Sequence, residues 1–165
     1  MDKKSIKKSV AELLQKNARI SDLEIAERLQ LTPAKVRTLI REMETDRIIT
    51  GYHAVIDEEK LGLEQVRAII EVEVQPERDS GFDRVARAIS NFPEVVSVLL
   101  VSGRYDLRLE VVGESLQDVA FFVASKLAAI DGVKATATHF LLKKYKTVGF
   151  MLQEDAKYER LKVVP

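Results

Sequence analysis

Between Val66 and Lys144 the apolar residues alternate between strand-like and helix-like spacing, and this order limits the possible folds more than any other feature. Four segments have strand-like patterns: Val66–Val74, Val95–Val101, Tyr105–Val112 and Val133 to about Lys144. A helix-like segment follows the first and the third of them, and each opens on a Ser-x-x-Asp capping pattern, at Ser80–Asp83 and at Ser115–Asp118. The order β-α-β-β-α-β predicts an α+β, ferredoxin-like sandwich in which two helices cover one face of an antiparallel sheet.

The apolar positions also predict which side chains this domain buries. In the first strand they are Ala68, Ile70, Val72 and Val74. In the two helices they are Phe82, Val85, Ala86 and Ile89, then Leu116, Val119, Ala120, Val123 and Leu127. The second strand is apolar on both faces, which predicts that both are covered. The sheet face without helices carries Ile69, Leu99 and Val101, so we expect a second subunit to cover it.

Residues 1–50 have the pattern of three short helices. Ile6, Val10, Leu13 and Leu14 recur at helical spacing, and Asn17 is expected to end this helix in the left-handed conformation. Ser21–Glu24 is a capping box that opens a helix to about Leu29. Thr32-Pro33 then supplies an N-cap and a first helical residue for a third helix that reaches about Thr45.

The third helix is apolar on one face and basic on the other. Val36, Leu39, Ile40 and Met43 are predicted to point inward. The residues expected to face outward and contact the DNA major groove and its phosphates are Thr32, Ala34, Lys35, Arg37, Thr38 and Arg41. Two helices joined by a short turn, the second with small and basic residues outward, predict a helix-turn-helix, although Gln30-Leu31 occupies the turn where glycine is common. The alternative is a plain three-helix bundle with a solvated basic face.

Charge and composition narrow the classes of function. The net charge is zero, but residues 1–50 carry 11 Lys and Arg against 8 Asp and Glu, whereas residues 51–165 carry 15 against 18. A basic first third favours a polyanionic partner such as double-stranded DNA. Cysteine is absent, which excludes disulfides, thiolate metal sites and cysteine nucleophiles, and His53 and His139 lie far apart in sequence. We therefore expect no metal, no cofactor and no catalytic residues. Without a signal peptide or an 18-residue apolar stretch, we expect a cytoplasmic protein with no membrane partner.

These patterns divide the chain into four parts. Residues 1–50 are expected to form the helix-turn-helix domain, and residues 51–64 a strand-like hinge linker. A β-prone stretch over residues 48–57 leads into and through the first part of this hinge, and a helical turn, Asp57–Gly62, that glycine ends follows it. Residues 65–145 are expected to form a ligand-sensing and oligomerisation domain, and residues 146–165 a tail that adds short strands.

Two motifs carry a resemblance to a known family. One is the hinge pattern Ile48-x-x-Gly51-Tyr52-x-Ala54-x-x-Asp57, and the other is Gly103-x-Tyr105-Asp106 between the second and third strands. With the order of domains, they resemble the Lrp/AsnC (feast/famine) family of transcriptional regulators over residues 1 to about 145. The resemblance implies a sequence-specific regulator that forms homodimers through its sensing domains, often assembled into a ring of four dimers, an octamer. It also implies an amino acid or similar small metabolite bound between dimers.

The ligand-binding residues expected from this resemblance are Gly103, Arg104, Tyr105, Asp106, Thr136 and Thr138. Gly103 permits close approach and offers backbone N–H groups, Asp106 accepts a hydrogen bond from an ammonium, and Tyr105 packs on a side chain. The two threonines resemble positions that face the ligand in the family. The structural alternatives are that Asp106 stabilises its turn, Gly103 supplies a positive φ, Tyr105 only packs and the threonines only suit a strand.

An enzyme of similar architecture is the second hypothesis. Some haem-pathway decarboxylases that act on sirohaem derivatives resemble the same two-domain order. Such an enzyme needs His or Arg side chains that converge on a porphyrin pocket, and His139 and Arg104 are the candidates. The basic face of the third helix and the intact Gly103-x-Tyr105-Asp106 loop favour the regulator, so we expect no enzymatic activity.

Overall fold

The computed structural model describes residues 2–63, 65–76 and 81–152. The chain forms two compact units, residues 1–55 and residues 56–165. Across the described ranges, no helix combines the length and the apolar character that crossing a bilayer requires.

The first unit is a bundle of three helices: α1 (Lys3–Lys16), α2 (Asp22–Leu29) and α3 (Pro33–Thr45). Its core consists of fully or almost fully buried side chains from all three helices, namely Val10, Ile25, Ala26, Val36 and Met43, and Leu39 is buried as well. The predicted caps form, since the Ser21 hydroxyl accepts from the Glu24 N–H at 3.1 Å and the Thr32 hydroxyl from the Lys35 N–H at 3.2 Å. The predicted helix-turn-helix is confirmed.

Two details of this unit differ from the predictions. Asn17 is extended, with φ −148°, so the expected left-handed end of α1 is wrong. Gln30, at the end of α2, is left-handed instead, with φ 56° and ψ 45°, because the short turn between α2 and α3 has to reverse the chain there; Arg47, after α3, also has a positive φ of 54°. The Glu24 carboxylate accepts from Arg28, four residues on, at 2.7 Å, instead of closing the capping box.

The second unit has the ferredoxin-like order that the sequence predicts. Its antiparallel sheet has the strand order β2-β3-β1-β4, with β1 (Val66–Val74), β2 (Val95–Leu100), β3 (Leu107–Gly113) and β4 (Val133–Phe140). Helix α4 spans Asp83–Ser90, and α5 spans Leu116–Phe121 before it continues as a π-helix over Phe122–Leu127. A separate two-stranded sheet pairs β5 (Lys146–Thr147) with β6 (Phe150–Met151).

The core of this unit lies between the helices and one face of the sheet. As predicted, alternate residues of β1 are buried, and they pack with Val85 and Ile89 of α4. The prediction for the second helix is partly wrong, because Leu116 and Ala120 are exposed whereas Phe122 is buried. The π-helix that begins at Phe122 has wider turns, which bring Phe122 and Leu127, five residues apart, to the same inward face.

The start of α4 and the environment of β2 also differ from expectation. The N-cap of α4 is Phe82, which makes no side-chain capping bond, and Ser80 lies outside the described residues. The prediction that both faces of the second strand are covered is wrong for a single chain. Strand β2 lies at the sheet edge, and Val96, Leu99 and Leu100 are all more than half exposed. Here and below, the sheet face opposite the helices is called the open face; Ile69 and Leu99 lie on it.

Over residues 51–63, the described part of the hinge, the chain forms a turn but no strand. Residues 51–57 have no regular structure, although their composition is β-prone, because a strand needs a neighbouring strand for its backbone groups and none of the described strands pairs with them. The predicted turn over Asp57–Gly62 is present. The Leu61 N–H donates to the Asp57 carbonyl at 3.2 Å, and Gly62 adopts a φ of 71°.

Candidate functional site

Helix α3 brings all six predicted DNA-contacting residues to one surface. Buried Val36, Leu39 and Met43 fix the rotation of the helix. The residues that this rotation leaves exposed include Thr32, Ala34, Lys35, Arg37, Thr38 and Arg41. The cap at Thr32 and the proline at the first helical position define where this surface begins.

The three cations of this surface differ in how they are held. Arg37 Nε lies 3.0 Å from Asp22 Oδ2, so its charge is already engaged with α2. Lys35 and Arg41 take part in none of the ion pairs between described residues. The Thr38 hydroxyl donates to the Ala34 carbonyl at 2.9 Å, which leaves its oxygen free to accept. Lys35 and Arg41 are therefore the cations best placed to meet a polyanion.

Acidic residues near the end of α3 are neutralised by α1. Lys3 Nζ lies 2.9 Å and Lys7 Nζ 3.2 Å from Glu42 Oε2, and Lys7 is also 3.2 Å from Asp46 Oδ2. The hydrogen bonds from Lys3 and Lys7 lower the pKa of Glu42, and the bond to Asp46 raises the pKa of Lys7. This pairing, which sequence spacing does not reveal, keeps the α3 surface positive.

The loop between β2 and β3 is fastened to β1 by Asp106. The Asp106 N–H donates to the Val72 carbonyl at 3.1 Å, and Asp106 Oδ2 accepts from the Val74 N–H at 2.8 Å. Its carbonyl accepts from the Val101 N–H at 2.9 Å. The other carboxylate oxygen accepts no hydrogen bond from the described residues. Asp106 thus has a structural role and one oxygen left for a ligand.

Gly103 and Arg104 lie at the exposed tip of this loop. Gly103 has φ 146°, a region that favours glycine, and no heavy atom lies within 4 Å of where a β-carbon would stand. The Arg104 guanidinium carbon is 5.5 Å from the centre of the half-buried Tyr105 ring, a cation–π contact. One carboxylate oxygen, one guanidinium and backbone N–H groups complement the ammonium and carboxylate of an amino acid.

Thr136 and Thr138 are not brought to this loop within one chain. They pair with Val72 and Ile70 of β1 and lie on the helix-covered face of β4. Strand β1 lies between β4 and β3, so about two strand spacings, roughly 10 Å, separate Thr136 from Asp106. The two threonines and the loop share one end of the sheet, but they do not form one pocket.

Two cavities of the second unit lie elsewhere, and none of the predicted ligand residues lines them. One of about 460 Å³ lies between residues 56–65 and residues 141–144, and one of about 450 Å³ lies between α5 and the nearby ends of β2 and β3. The first is walled by Arg67, which pairs with Glu58 and, at 3.1 Å, with Glu110. Hydrogen bonding to Glu58 lowers the pKa of that carboxyl and raises the pKa of Arg67.

The residues of the enzyme hypothesis are also separated. His139 lies on the open face, with Nε2 3.5 Å from Glu71 Oε2, and pairs with Ile69. The loop that carries Arg104 is attached to β1 at Val72. Val72 lies three residues, about 10 Å, along β1 from Ile69, which pairs with His139. Within the described ranges, no group of three or more acidic or histidine side chains is arranged to hold a metal ion.

Comparison with known proteins matches both units. Residues 67–149 match the Lrp/AsnC ligand binding domain, and residues 5–50 match a winged helix-turn-helix DNA-binding domain. An uncharacterized HTH-type transcriptional regulator of Bacillus subtilis, YugG, is 43% identical over 94% of this chain and 95% of its own. The leucine-responsive regulatory protein of Rhizobium meliloti is 29% identical over 81% of this chain and 85% of its own. A transcriptional regulator of Neisseria meningitidis, solved in complex with L-Met, has a TM-score of 0.66 and 27% identity, and covers 89% of this chain and 93% of that one.

Proposed function

Because the chain belongs to the Lrp/AsnC family and is a DNA-binding transcriptional regulator with an effector-binding domain, we propose that α3 reads an operator and that the Gly103–Asp106 loop senses an amino acid or similar metabolite. The protein acts as a homodimer, which can assemble further into a tetramer of dimers. The relative solved with L-Met supports an amino acid as the effector class.

The observation that carries the proposal for DNA is the pair of free cations on α3. Lys35 and Arg41 are exposed on the side of α3 that faces away from its buried residues, and Thr32 lies at the helix N-terminus. Arginine reads guanine edges in the major groove, and lysine and a helix N-terminus hold phosphates. Arg37 exchanges its Asp22 partner for a phosphate when DNA is bound.

The proposal for the homodimer starts from the open face of the sheet. Ile69 is half-buried and Leu99 is 52% exposed there, with no helix above them in the described chain. An apolar sheet face of this kind is covered by a second copy in symmetric dimers. Two helix-turn-helix heads then reach half-sites one helical turn, or a multiple of it, apart.

The proposal for the effector rests on the chemistry of the loop. Asp106 offers one carboxylate oxygen to an ammonium, and Arg104 offers N–H donors to a carboxylate. Because the threonines lie across β1, a site that uses them together with the loop needs a neighbouring subunit. Filling such a site changes how dimers pack, and this difference between assembly states couples effector to DNA binding.

The test combines selection of operators from random DNA with binding titrations. We expect salt-sensitive binding of selected duplexes, whose midpoint shifts with one or a few of the twenty amino acids. Absence of any sequence preference refutes the operator proposal, and absence of any shift refutes the amino-acid proposal. Porphyrin titration of the same sample tests the enzyme alternative, which requires a tight visible absorbance and no DNA binding.

A further inference from the structure

Three acidic residues follow Arg41 closely at the end of α3 and at its C-cap: Glu42, Glu44 and Asp46. Carboxylates beside Arg41 compete with DNA phosphates for its charge. Glu42 and Asp46 are already engaged by lysines of α1. Glu44 takes part in none of the ion pairs between described residues, so a different contact has to keep its charge from Arg41.

Glu44 is the acidic residue of α3 that neighbours Arg41 on the helix surface. Side chains three or four positions apart on a helix lie next to each other, whereas those one position apart do not face each other. Glu44 follows Arg41 by three positions, and both side chains are exposed. The residue four positions after Arg41 is Thr45, and no acidic residue lies within the turn before Arg41. An unrestrained Glu44 is therefore placed to form an ion pair with Arg41.

The structure shows Glu44 bound to the hinge instead. The Tyr52 hydroxyl donates to Glu44 Oε1 at 2.9 Å. Partial burial of Tyr52, and then its hydrogen bond to Glu44, raise the pKa of the hydroxyl, so it keeps its proton and stays a donor at neutral pH. The Arg41 guanidinium, three residues before Glu44, remains unpaired within the described part of the chain.

The turn after α3 is what returns the chain to this position. The N–H groups of Ile48 and Ile49 both donate to the Met43 carbonyl, at 2.8 and 3.1 Å. Ile49 also packs against the core of the first unit. Backbone bonds and packing thus hold the chain up to three residues before Tyr52, and the hydroxyl of Tyr52 closes the loop on α3.

We propose that Tyr52 is a positioning residue for DNA binding, which holds the Glu44 carboxylate away from Arg41 and so leaves that guanidinium free for the operator. The proposal rests on the contact between Arg41 and the operator proposed above. An exposed ion pair of this spacing changes an equilibrium about 1.4- to 2.3-fold. Two heads on one operator multiply the effect to about 2- to 5-fold.

The test removes the Tyr52 hydroxyl from the full chain and keeps the ring. Tyr52→Phe is expected to weaken binding to a selected operator about 2- to 5-fold at low salt, because Glu44 then pairs with Arg41. In a chain that carries Glu44→Gln, Tyr52→Phe should have no further effect. Tyr145→Phe, which removes an exposed hydroxyl of the second unit, is the matched control and should bind like wild type. Unchanged operator binding by Tyr52→Phe, or an equal loss in the Glu44→Gln chain, overturns the proposal.

A second comparison separates positioning of Arg41 from a merely structural role of Tyr52. In a chain that carries Arg41→Ala, Tyr52→Phe should change operator affinity no further, because the cation through which it acts is gone. A loss that persists there shows that Tyr52 only stabilises the end of α3 and overturns the proposal. Circular dichroism melts confirm that each variant is folded. If Arg41→Ala alone binds like wild type, the operator contact and the role of Tyr52 both fail; if Arg41→Ala weakens binding and Tyr52→Phe does not, only the role of Tyr52 fails.

Discussion

Substitution of Asp106 separates its structural role from its proposed ligand role. Asp106→Ala removes the acceptor 2.8 Å from the Val74 N–H and leaves that donor, on an otherwise buried residue, without its partner. A hydrogen bond to a charged group contributes about 1.5–3 kcal/mol, and since Asp106 is only half-buried we expect a loss of about 1.5 kcal/mol. For a unit of this size the melting temperature should fall by roughly 6 °C.

Asp106→Asn is the matched variant because its amide oxygen still accepts from Val74 but carries no charge. We expect less than about 0.5 kcal/mol of lost stability, yet effector binding about 10- to 150-fold weaker in calorimetry, since the ammonium loses its ion pair. DNA affinity without effector should stay near wild type for both variants. If Asp106→Asn binds an effector as tightly as wild type, Asp106 only stabilises the loop and the effector lies elsewhere.

Three further predictions concern strain and charge. Gln30→Gly should stabilise the first unit by about 0.5–1 kcal/mol, because Gln30 adopts φ 56°; a destabilised variant in denaturant melts contradicts this. Gly103→Val should cost about 1–3 kcal/mol at φ 146° and abolish effector binding by calorimetry. Arg67→Met should cost about 2 kcal/mol at pH 7, since it leaves Glu58 and Glu110 without their shared cation. Arg67 lowers the pKa of Glu58 below its usual 4.5, so the part of this contribution that comes from Glu58 is complete above pH 4.5 and is lost as the pH falls through the folded value; a stability difference between variant and wild type that does not shrink as the pH falls below 4.5 refutes this assignment.

Local signals in the sequence predicted most elements of the fold. Ser21, Thr32 and Ser115 cap their helices as expected, because a cap depends on residues three positions apart. The alternation of β1 predicted its buried residues, because one face of that strand meets the helices. The order of strands and helices along the chain is then compatible with only a few arrangements of the strands in a sheet.

The structure differs from the predictions where contacts between residues far apart in sequence determine the local conformation. The left-handed Gln30 follows from the packing of α2 on α3, and nothing in its side chain favours that conformation. The π-helix from Phe122 has no clear sequence signal, and its wider turns place Phe122 on the same buried face as Leu127. The apolar run of β2 indicated coverage on both faces, but β2 lies at the sheet edge and several of its side chains stay exposed in the chain itself.

In the candidate sites, too, local patterns predicted the exposed residues, whereas contacts between residues far apart in sequence were not predictable. Helical periodicity placed the outward residues of α3, but the pairs Arg37–Asp22 and Lys3–Glu42 join residues 15 and 39 positions apart and were not predictable. The loop motif indicated Asp106, whereas its bond to Val74 depends on how β1 and β3 pair. Assignment of Thr136 to the same site stays a prediction that requires a neighbouring subunit.

The central claim, that α3 reads the operator, is tested most directly by the affinity of Arg41→Ala for a selected operator. We expect binding about 5- to 150-fold weaker, equivalent to about 1–3 kcal/mol, with relaxed preference at one base pair. Lys35→Ala should weaken all duplexes alike and reduce the salt dependence by about one counterion. Lys8→Ala on α1, an exposed lysine outside α3, serves as the control. Unchanged operator affinity in both Arg41→Ala and Lys35→Ala contradicts the account.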